Sequence, residues 1–390
     1  MMLLLLLVPV LMSSAQNNED AVTNWLKANL PEYDAVNKPA DMETQLNLHV
    51  TPRRIPCSTA NGEDGECVKP SNCGKAEEPK PDFRQGYQPC RFNLVCCPLP
   101  DVKEPKKKRK IKNVCGISNG YPFVYRSRNT KPVAFADFAE FPWMVAVLRQ
   151  SNSEIWNNED YIGGGTLIHP LVVLTVAHKV DNRDPAELKC RAGEWDTSTA
   201  MEVMSHQDRR VRKISVHKDF MLVRNHYNAA LLFLESPFIL ESHIGVACLP
   251  GNDLPSIGTL CYSMGWGRTF NDSSYSAQLK KVQLPLVDPS VCQRQLRNTV
   301  LGSSYLLHHT LMCAGGEVGV DTCVGDGGAP LVCPIQEGGS SARFAVYGLV
   351  SHGVGCGNTN VPGLYTKVSE VVDWVNEEMD REGLDRTYII

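Results

Sequence analysis

The chain has 390 residues with a formal net charge of −4 at pH 7, and 43% of its residues are hydrophobic. A chain of this length is expected to form one large domain and one small one, and its weak negative charge argues against nucleic-acid binding. Fifteen cysteines are typical of a disulfide framework in a secreted protein, and the odd number leaves one thiol unpaired or bonded to another chain.

The N-terminus contains an apolar segment, Leu3–Leu7, followed by small residues that end at Ala15. This pattern predicts a secretory signal peptide at residues 1–15 and therefore an extracellular location. The segment is shorter than the roughly 18 apolar residues that a membrane span requires, and no other apolar run approaches that length, so we do not expect a transmembrane protein. Residues 16–56 are polar and predict a mostly irregular extension, in which residues 20–30 could form a short helix.

A compact cysteine module follows at residues 57–97. Its six cysteines are Cys57, Cys67, Cys73, Cys90, Cys96 and Cys97. A segment of about 40 residues buries too little apolar surface to fold without covalent links. Spacing alone does not choose among the connectivities that six cysteines allow. A zinc site is the alternative, but the segment contains no histidine, which favours disulfides.

Residues 98–114 form a predicted linker. Its prolines favour extended backbone, and Lys106–Lys112 is almost entirely basic. Three interpretations remain open: a solvated spacer, a site of trypsin-like cleavage and a contact with an anionic surface. The cleavage candidates are Arg109 in the linker and Arg54 before the module, and a cut at either place could expose a surface for self-association.

From Cys115 to the end, short segments of apolar and β-branched residues alternate with turn residues. Phe141–Leu148 and Gly165–Ile168 are examples. This alternation predicts an all-β sandwich or barrel. Ser369–Met379 is the exception, because its apolar residues recur at helical spacing and predict a terminal amphipathic helix.

Three short motifs occur in order along this large domain. They read Thr-Val-Ala-His at Thr175–His178, Asn-Ala-Ala-Leu-Leu at Asn228–Leu232 and Cys-Val-Gly-Asp-Gly-Gly-Ala-Pro at Cys323–Pro330. Taken alone, the glycine-rich motif could be an ordinary turn, and His178 could be a buried histidine. Neither explanation accounts for the order and spacing of the three motifs. Together they resemble the catalytic motifs of trypsin-like serine proteases. The resemblance implies a chymotrypsin-like fold of two packed six-stranded barrels, with the site in the cleft between them.

The resemblance places His178 at the general-base position, Asn228 at the position of the triad aspartate and Gly327 at that of the nucleophilic serine. Glycine has no oxygen that could attack a carbonyl carbon. An amide does not stabilise an imidazolium as a carboxylate does, and it can hold the wrong tautomer. We therefore predict that the protein is not an enzyme. The enzymatic alternative is a weak hydrolase that uses a nucleophile from elsewhere, such as Ser351.

Several binding features of trypsin-like proteases are retained. Asp321 lies six residues before Gly327, where these proteases keep the acid that selects lysine or arginine. Gly353 and Gly363 match the glycines that keep this pocket open, whereas His352 replaces the usual tryptophan. A vestigial pocket and a working ligand pocket are both consistent with this set.

The activation chemistry of the family is incomplete. Active members are cut before an Ile-Val-Gly-Gly start, and no such start precedes Phe141. Asp326, the acid that would bind the new ammonium group, is present. The amides of Gly325 and Gly327 could still form an oxyanion hole, because that needs only backbone.

The cysteine module, which ends in Cys96-Cys97 ahead of the protease-like domain, resembles the clip domain of arthropod haemolymph proteases. The two resemblances imply the disulfides Cys57–Cys96, Cys67–Cys90, Cys73–Cys97, Cys115–Cys248, Cys261–Cys333, Cys292–Cys313 and Cys323–Cys356. Gly163 and Lys179 occupy the positions of the disulfide that usually braces the histidine loop, which suggests a relaxed demand on that loop. Cys190 is then the odd thiol, either buried and inert or bonded to another chain.

Arg191–Thr197, the clip module and the serine-to-glycine change together resemble the clip-domain serine protease homologues, which are non-catalytic cofactors of prophenoloxidase activation in arthropod immunity. The resemblance implies secretion into the haemolymph, no required cofactor, and prophenoloxidase or phenoloxidase and its activating clip protease as partners. The alternative function is a recognition or adhesion protein that binds microbial or cell surfaces directly.

Two surface features complete the predictions. Glu194, Asp196 and Glu202 fall on the loop that binds calcium in some trypsin-like proteins. Oxygen ligands clustered on a loop suit calcium, although carboxylates on a surface loop are often only solvated. Asn271 begins the one N-glycosylation sequon of the chain, on a loop that we expect to be exposed.

Overall fold

The computed structural model describes residues 56–59, 62–68, 73–74, 90, 95–102, 115–119 and 133–385, with short gaps in the last range at 152, 154–155, 157, 200–201, 203, 252–253, 269–273 and 337–342. All of them belong to one compact unit, Arg54–Ile390. The predicted signal peptide, nearly all of the predicted extension, most of the predicted linker, and Arg54, Arg109 and Asn271 lie outside the described residues. No helix within the described ranges is long and apolar enough to cross a membrane.

The cysteine module contains a three-stranded antiparallel sheet in the order β1–β2–β3. Its strands are β1 (Pro56–Ser58), β2 (Asp64–Val68) and β3 (Val95–Pro98). The structure contains the disulfides Cys57–Cys96, Cys67–Cys90 and Cys73–Cys97, which are the pairs that the clip-domain resemblance implies. The Cys97 side chain is completely buried. In the described part of the module, the buried hydrophobic side chains are those of Cys67, Cys73, Cys90 and Cys97, as expected where disulfides stabilise a small module.

The first half of the large domain is a closed barrel with the strand order β10–β7–β6–β5–β8–β9. The bounds are β5 (Met144–Arg149), β6 (Tyr161–His169), β7 (Val172–Thr175), β8 (Leu188–Ala192), β9 (Gln207–Val216) and β10 (Ala230–Leu234). Strands β6, β7, β8 and β10 are buried along their whole length. Their side chains fill the barrel and the interface with the rest of the domain.

The second half is a seven-stranded sheet in the order β11–β14–β15–β16–β13–β12–β4. The bounds are β4 (Val133–Phe135), β11 (Leu260–Gly265), β12 (Lys280–Val287), β13 (Leu311–Ala314), β14 (Pro330–Gln336), β15 (Arg343–His352) and β16 (Gly363–Lys367). An additional pairing of β11 with β12 closes six of these strands into a second barrel, and β4 pairs only with β12 among the described strands. The predicted all-β chymotrypsin-like fold is confirmed.

The remaining cysteines brace this domain. The disulfides are Cys115–Cys248, Cys261–Cys333, Cys292–Cys313 and Cys323–Cys356, again the pairs that the resemblance implies. Cys190 on β8 is a free thiol and is completely buried. Burial raises the pKa of this thiol, which keeps it protonated and agrees with the interpretation of a buried, inert cysteine.

Three α-helices accompany the barrels in the described ranges: α1 (Ala177–Val180), α2 (Pro289–Arg297) and α3 (Val372–Arg381). The predicted terminal helix begins at Val372 rather than near Ser369, because Val368–Glu370 forms a 3-10 turn. Trp374, Val375 and Met379 bury its apolar face.

Helix α2 was not predicted from the sequence. Its start is fixed by Asp288, whose carboxylate accepts hydrogen bonds from the N–H groups of Ser290 and Val291 at 2.9 and 3.1 Å, as expected of an N-cap residue. Cys292 and Leu296 are its buried residues.

Candidate functional site

His178 and Asn228 are neighbours at the end of the first barrel. Helix α1 carries His178 after β7, and Asn228 lies just before β10, which pairs with β7. Asn228 is completely buried, and its Oδ1 accepts a hydrogen bond from the backbone N–H of His178 at 3.0 Å. Its Nδ2 lies 2.8 Å from Nδ1 of His178 and donates to Oγ of Ser351 at 3.0 Å.

These hydrogen bonds fix the imidazole tautomer of His178. Oδ1 of Asn228 already accepts from a backbone N–H, so Nδ2 faces the imidazole, and an amide nitrogen can only donate. Nδ1 of His178 is therefore an acceptor, and the proton of the neutral ring lies on Nε2. Burial, followed by the charge of Lys179, lowers the pKa of His178 to about 4. Near pH 7 the ring thus presents an N–H donor at Nε2, where a general base needs a lone pair.

Gly327 lies in front of this Nε2. A Cβ atom at Gly327 would be 3.5 Å from Nε2 of His178 and 2.8 Å from Cε of Lys179. A Cβ atom at Gly163 would be 3.6 Å from the same Cε. The Lys179 side chain therefore lies between Gly163 and the place where a serine side chain would be.

This position of Lys179 was missed from the sequence. From the sequence we inferred only that the histidine loop has lost a disulfide. We did not infer that the Lys179 side chain takes its place. The signal that could have found it is the pair of replacements itself. Lys179 and Gly163 occupy the two positions of the missing disulfide, and Gly327 occupies the nucleophile position.

The Lys179 ammonium group makes no hydrogen bond or ion pair with the part of the chain that the structure describes. Burial, followed by the charge of Arg183, lowers the pKa of this ammonium group, while Asp326 acts in the opposite direction. Among the described residues, this half-buried group beside Gly327 has no close counter-ion.

Asp326 is buried and bonded to the backbone. Its Oδ1 accepts from the N–H of Gly267 at 2.9 Å and its Oδ2 accepts from the N–H of Cys323 at 3.0 Å. Burial raises the pKa of Asp326, although the nearby charge of Lys280 acts in the opposite direction. The carboxylate that would bind an activation ammonium in a working protease is thus satisfied by amides of its own domain.

The backbone at the nucleophile position retains free donors. Among the hydrogen bonds of the described residues, none is donated by the amide of Gly325 or by that of Gly327. The next amide, at Gly328, donates to the carbonyl of Val350. The two candidate oxyanion-hole amides therefore have no competing acceptor in the described structure.

Asp321 is half-buried and lies next to Gly363. Its Oδ2 accepts from the N–H of Gly357 at 3.1 Å, while Oδ1 is buried and has no partner among the described residues. A Cβ atom at Gly363 would lie 3.0 Å from this Oδ1, so a larger residue there would cover it. Burial raises the pKa of Asp321 to about 6. The structure thus brings together the predicted acid and one predicted glycine.

His352 and Gly353 lie at the end of β15. Nδ1 of His352 is 3.1 Å from Oγ of Ser351, which accepts from Asn228. Burial lowers the pKa of His352. Ser351 is buried and bonded on both sides within this network, an arrangement that disfavours it as an alternative nucleophile.

The predicted calcium residues do not all come together. Oε1 of Glu202 accepts from the backbone N–H groups of Trp195 and Asp196, both at 2.8 Å, and the Glu202 side chain is hydrogen-bonded to Glu194. The third group close to both glutamates is His206, whose Nδ1 lies 3.2 Å from Glu194. The cluster is therefore Glu194, Glu202 and His206.

Asp196 is directed elsewhere. Its Oδ1 accepts from the N–H of Ser198 at 3.1 Å and its Oδ2 accepts from Gln278 at 3.2 Å. Burial, followed by the hydrogen bond with Glu194, raises the pKa of Glu202 to about 8. The glutamate pair thus keeps a shared proton near pH 7, and a divalent cation could take the place of that proton. The two carboxylates fit calcium in this respect, whereas Asp196 takes no part.

These features define a class of protein. Two antiparallel barrels bring His178, Asn228 and Gly327 together, and four disulfides brace the domain within the described ranges. This is a chymotrypsin-like serine protease homologue preceded by a cysteine module.

Comparison with known proteins identifies the family. The sequence profile of the trypsin family matches residues 134–375. The chain is 42% identical over 299 residues to "Phenoloxidase-activating factor 2" of Galleria mellonella, covering 74% of this chain and 96% of that protein. It is 35% identical over 312 residues to "Inactive CLIP domain-containing serine protease A28" of Anopheles gambiae, covering 77% and 80%. The chain belongs to the trypsin family and, within it, is a clip-domain serine protease homologue.

Proposed function

We propose that this protein is secreted into the haemolymph and acts without catalysis, as a cofactor or adaptor in prophenoloxidase activation. The observation that carries the proposal is the catalytic centre itself. Gly327 supplies no nucleophile, and the Nε2 of His178 that faces it carries a proton instead of a lone pair. The relatives named as a phenoloxidase-activating factor and as inactive clip proteases support the direction of this proposal.

The fold supports binding without turnover. Both barrels are closed, and the loop from Asp321 to Gly327 is anchored by Cys323–Cys356. A rigid cleft that has lost its nucleophile can still hold a peptide or a protein loop, because binding and bond cleavage depend on different groups. The proposed partners are prophenoloxidase or phenoloxidase and its activating clip protease.

Reconstitution tests this function. Purified protein is added to prophenoloxidase with and without the activating clip protease, and phenoloxidase output is measured. We expect a several-fold increase that requires the protease. An increase in the absence of that protease, or none in its presence, contradicts the cofactor role. Binding to microbial polymers without any effect on phenoloxidase would support the recognition function instead.

Cleavage next to the clip module is the proposed switch. The candidate sites are Arg54 and Arg109, which lie in basic segments on either side of the module, and three disulfides would hold the module intact through such a cut. The same reconstitution includes a variant in which Arg53, Arg54 and the basic residues of Lys106–Lys110 are changed to glutamine. Full activity of this uncleaved variant would exclude cleavage as the switch.

We also propose that this domain binds calcium, although the proposed role in prophenoloxidase activation requires no bound metal or coenzyme. Glu194 and Glu202 would hold the ion in place of the proton that they share. Calcium would supply only structural stabilisation of the loop between β8 and β9, because the cluster lies on that loop and the cleft is formed by other residues. Glycosylation at Asn271 also remains a proposal.

A further inference from the structure

The centre of the cleft has the polarity of an anion-binding site. In a working serine protease, the lone pair of the histidine accepts the hydrogen bond of the nucleophile hydroxyl, whose oxygen faces the substrate. Here the nucleophile oxygen is missing and Nε2 of His178 carries a proton. The side-chain groups of His178 and Lys179 next to Gly327 are therefore donors, and the adjacent carboxylate of Asp326 accepts from backbone amides of its own domain.

Two side-chain donors lie next to Gly327, and two backbone amides of the same loop are without an acceptor in the described ranges. Nε2 of His178 lies 3.5 Å from the position of a Cβ at Gly327, and Cε of Lys179 lies 2.8 Å from it. The amides of Gly325 and Gly327 have no acceptor within the described ranges. The amine of Lys179, the imidazole N–H of His178 and these backbone amides are the kinds of donor that a carboxylate accepts from.

The nearby side chain of Asp321 has the opposite charge. Asp321 is six residues before Gly327, and its buried Oδ1 has no partner in the described structure. A glycine at position 363 keeps side-chain atoms away from that oxygen, because a Cβ atom there would lie 3.0 Å from it. A ligand that satisfies both places carries a cation on a side chain and an anion near the same backbone position.

We propose that the cleft binds the free C-terminal carboxylate of a peptide that ends in lysine or arginine. The carboxylate would accept hydrogen bonds from Lys179, His178 and the amides at Gly325 and Gly327, while the terminal side chain would reach Asp321. Such C-termini are the products of trypsin-like cleavage. The cleft would then retain the product of another protease, where an active relative binds the uncut peptide bond.

The inference rests on the absence of catalysis in the proposed function, but not on a role in phenoloxidase activation. Lys179 is the residue that distinguishes this cleft from that of an active protease. A protease that keeps the histidine-loop disulfide has no cation at this place, and a carboxylate there would lie beside a serine oxygen. Gly163 and Gly327 both leave the space that the Lys179 side chain occupies.

Calorimetry with three ligands tests the inference at pH 7. The probes are acetyl-Ala-Ala-Arg with a free carboxylate, the same peptide as its C-terminal amide, and acetyl-Ala-Ala-norleucine with a free carboxylate. We expect the arginine acid to bind at least tenfold more tightly than its amide and than the norleucine acid. Lys179→Met should reduce the preference for acid over amide to less than twofold, with the amide affinity unchanged. Lys218→Met, the same change at an exposed lysine, should leave all affinities unchanged.

Each other result has one meaning. Equal affinity of the acid and the amide for the wild-type protein, or no binding of either at millimolar concentration, overturns the inference and leaves the cofactor role untouched. A preference for the acid that survives in Lys179→Met overturns the assignment of Lys179. Hydrolysis of the amide during the titration overturns the non-catalytic character on which the inference rests.

Discussion

The Gly327→Ser variant is expected to show no turnover of arginyl ester or amide substrates above the background of the wild-type protein. The new hydroxyl would meet an imidazole whose Nε2 is protonated, because Asn228 donates to Nδ1. In a working protease the aspartate-to-asparagine change alone reduces turnover by about 10⁴-fold. The restored oxygen therefore has no general base.

Two further features of the cleft should prevent catalysis by this variant. A Cβ atom at position 327 would lie 2.8 Å from Cε of Lys179, so any side chain there must displace the lysine. Asp326 is also bonded to the amides of Gly267 and Cys323, and the chain has no activation start that would release it. For these two reasons, we expect that hydrolysis by the double variant Gly327→Ser with Asn228→Asp also remains at the wild-type background.

Gly327→Ala is the matched control, because its methyl group meets Lys179 in the same way but brings no oxygen. Thermal unfolding should shift equally in the alanine and serine variants, which separates a steric effect from a chemical one. An active trypsin-like protease serves as the positive control for the substrates. Hydrolysis by the single serine variant, well above that of Gly327→Ala, would show that Asn228 and Lys179 do not disable the centre.

Calcium is expected to raise the melting temperature of the protein, and the increase should be larger at pH 8 than at pH 5. Glu202 has a pKa of about 8 in the folded chain, against about 4.5 for an unfolded glutamate. The folded state therefore binds the extra proton, so the stability that Glu202 contributes is complete below about pH 4.5 and is lost as pH rises through about 8. Calcium would replace this proton and restore stability at high pH. A ligand at 100 times its Kd stabilises a protein by about 2.7 kcal/mol.

The Glu202→Gln variant isolates this effect. An amide side chain does not ionise, so the variant should lose both the calcium response and the Glu202-dependent fall in stability between about pH 5 and pH 8. Asp196→Asn is the matched control, because Asp196 is bonded to Ser198 and Gln278 and should leave the calcium response unchanged. The measurement is differential scanning calorimetry with millimolar calcium or with a chelator. A wild-type melting temperature that does not respond to calcium at pH 8 would exclude the site.

The fold could be predicted because its signals are local. Alternating apolar segments indicate strands, and the three motifs around His178, Asn228 and Gly327 occur in an order that few other folds would produce. The cysteine spacing of the module carried the clip-domain resemblance for the same reason. These signals depend on residue type and sequence separation, both of which can be read directly from the chain.

The properties of the site depend on the orientations of individual side chains, which cannot be read from short sequence motifs. The tautomer of His178 follows from which end of the Asn228 amide meets a backbone N–H. The cation beside Gly327 follows from where the Lys179 side chain extends after the loss of a disulfide. Asp196 was predicted as a calcium residue because it falls on the loop that binds calcium in some trypsin-like proteins, but its side chain is bonded to Ser198 and Gln278, and His206 lies with the glutamate pair instead.

The ring nitrogens of His178 provide the most direct test of the claim that this cleft is built to bind and not to cut. The measurement is heteronuclear NMR on protein labelled with 15N-histidine, with His178→Gln to assign the signal among the ten histidines. We predict a neutral ring with the proton on Nε2 between about pH 5 and pH 8, because burial lowers the pKa of His178 to about 4. A proton on Nδ1, or a ring that titrates near the ordinary histidine pKa of 6.5, would contradict this account.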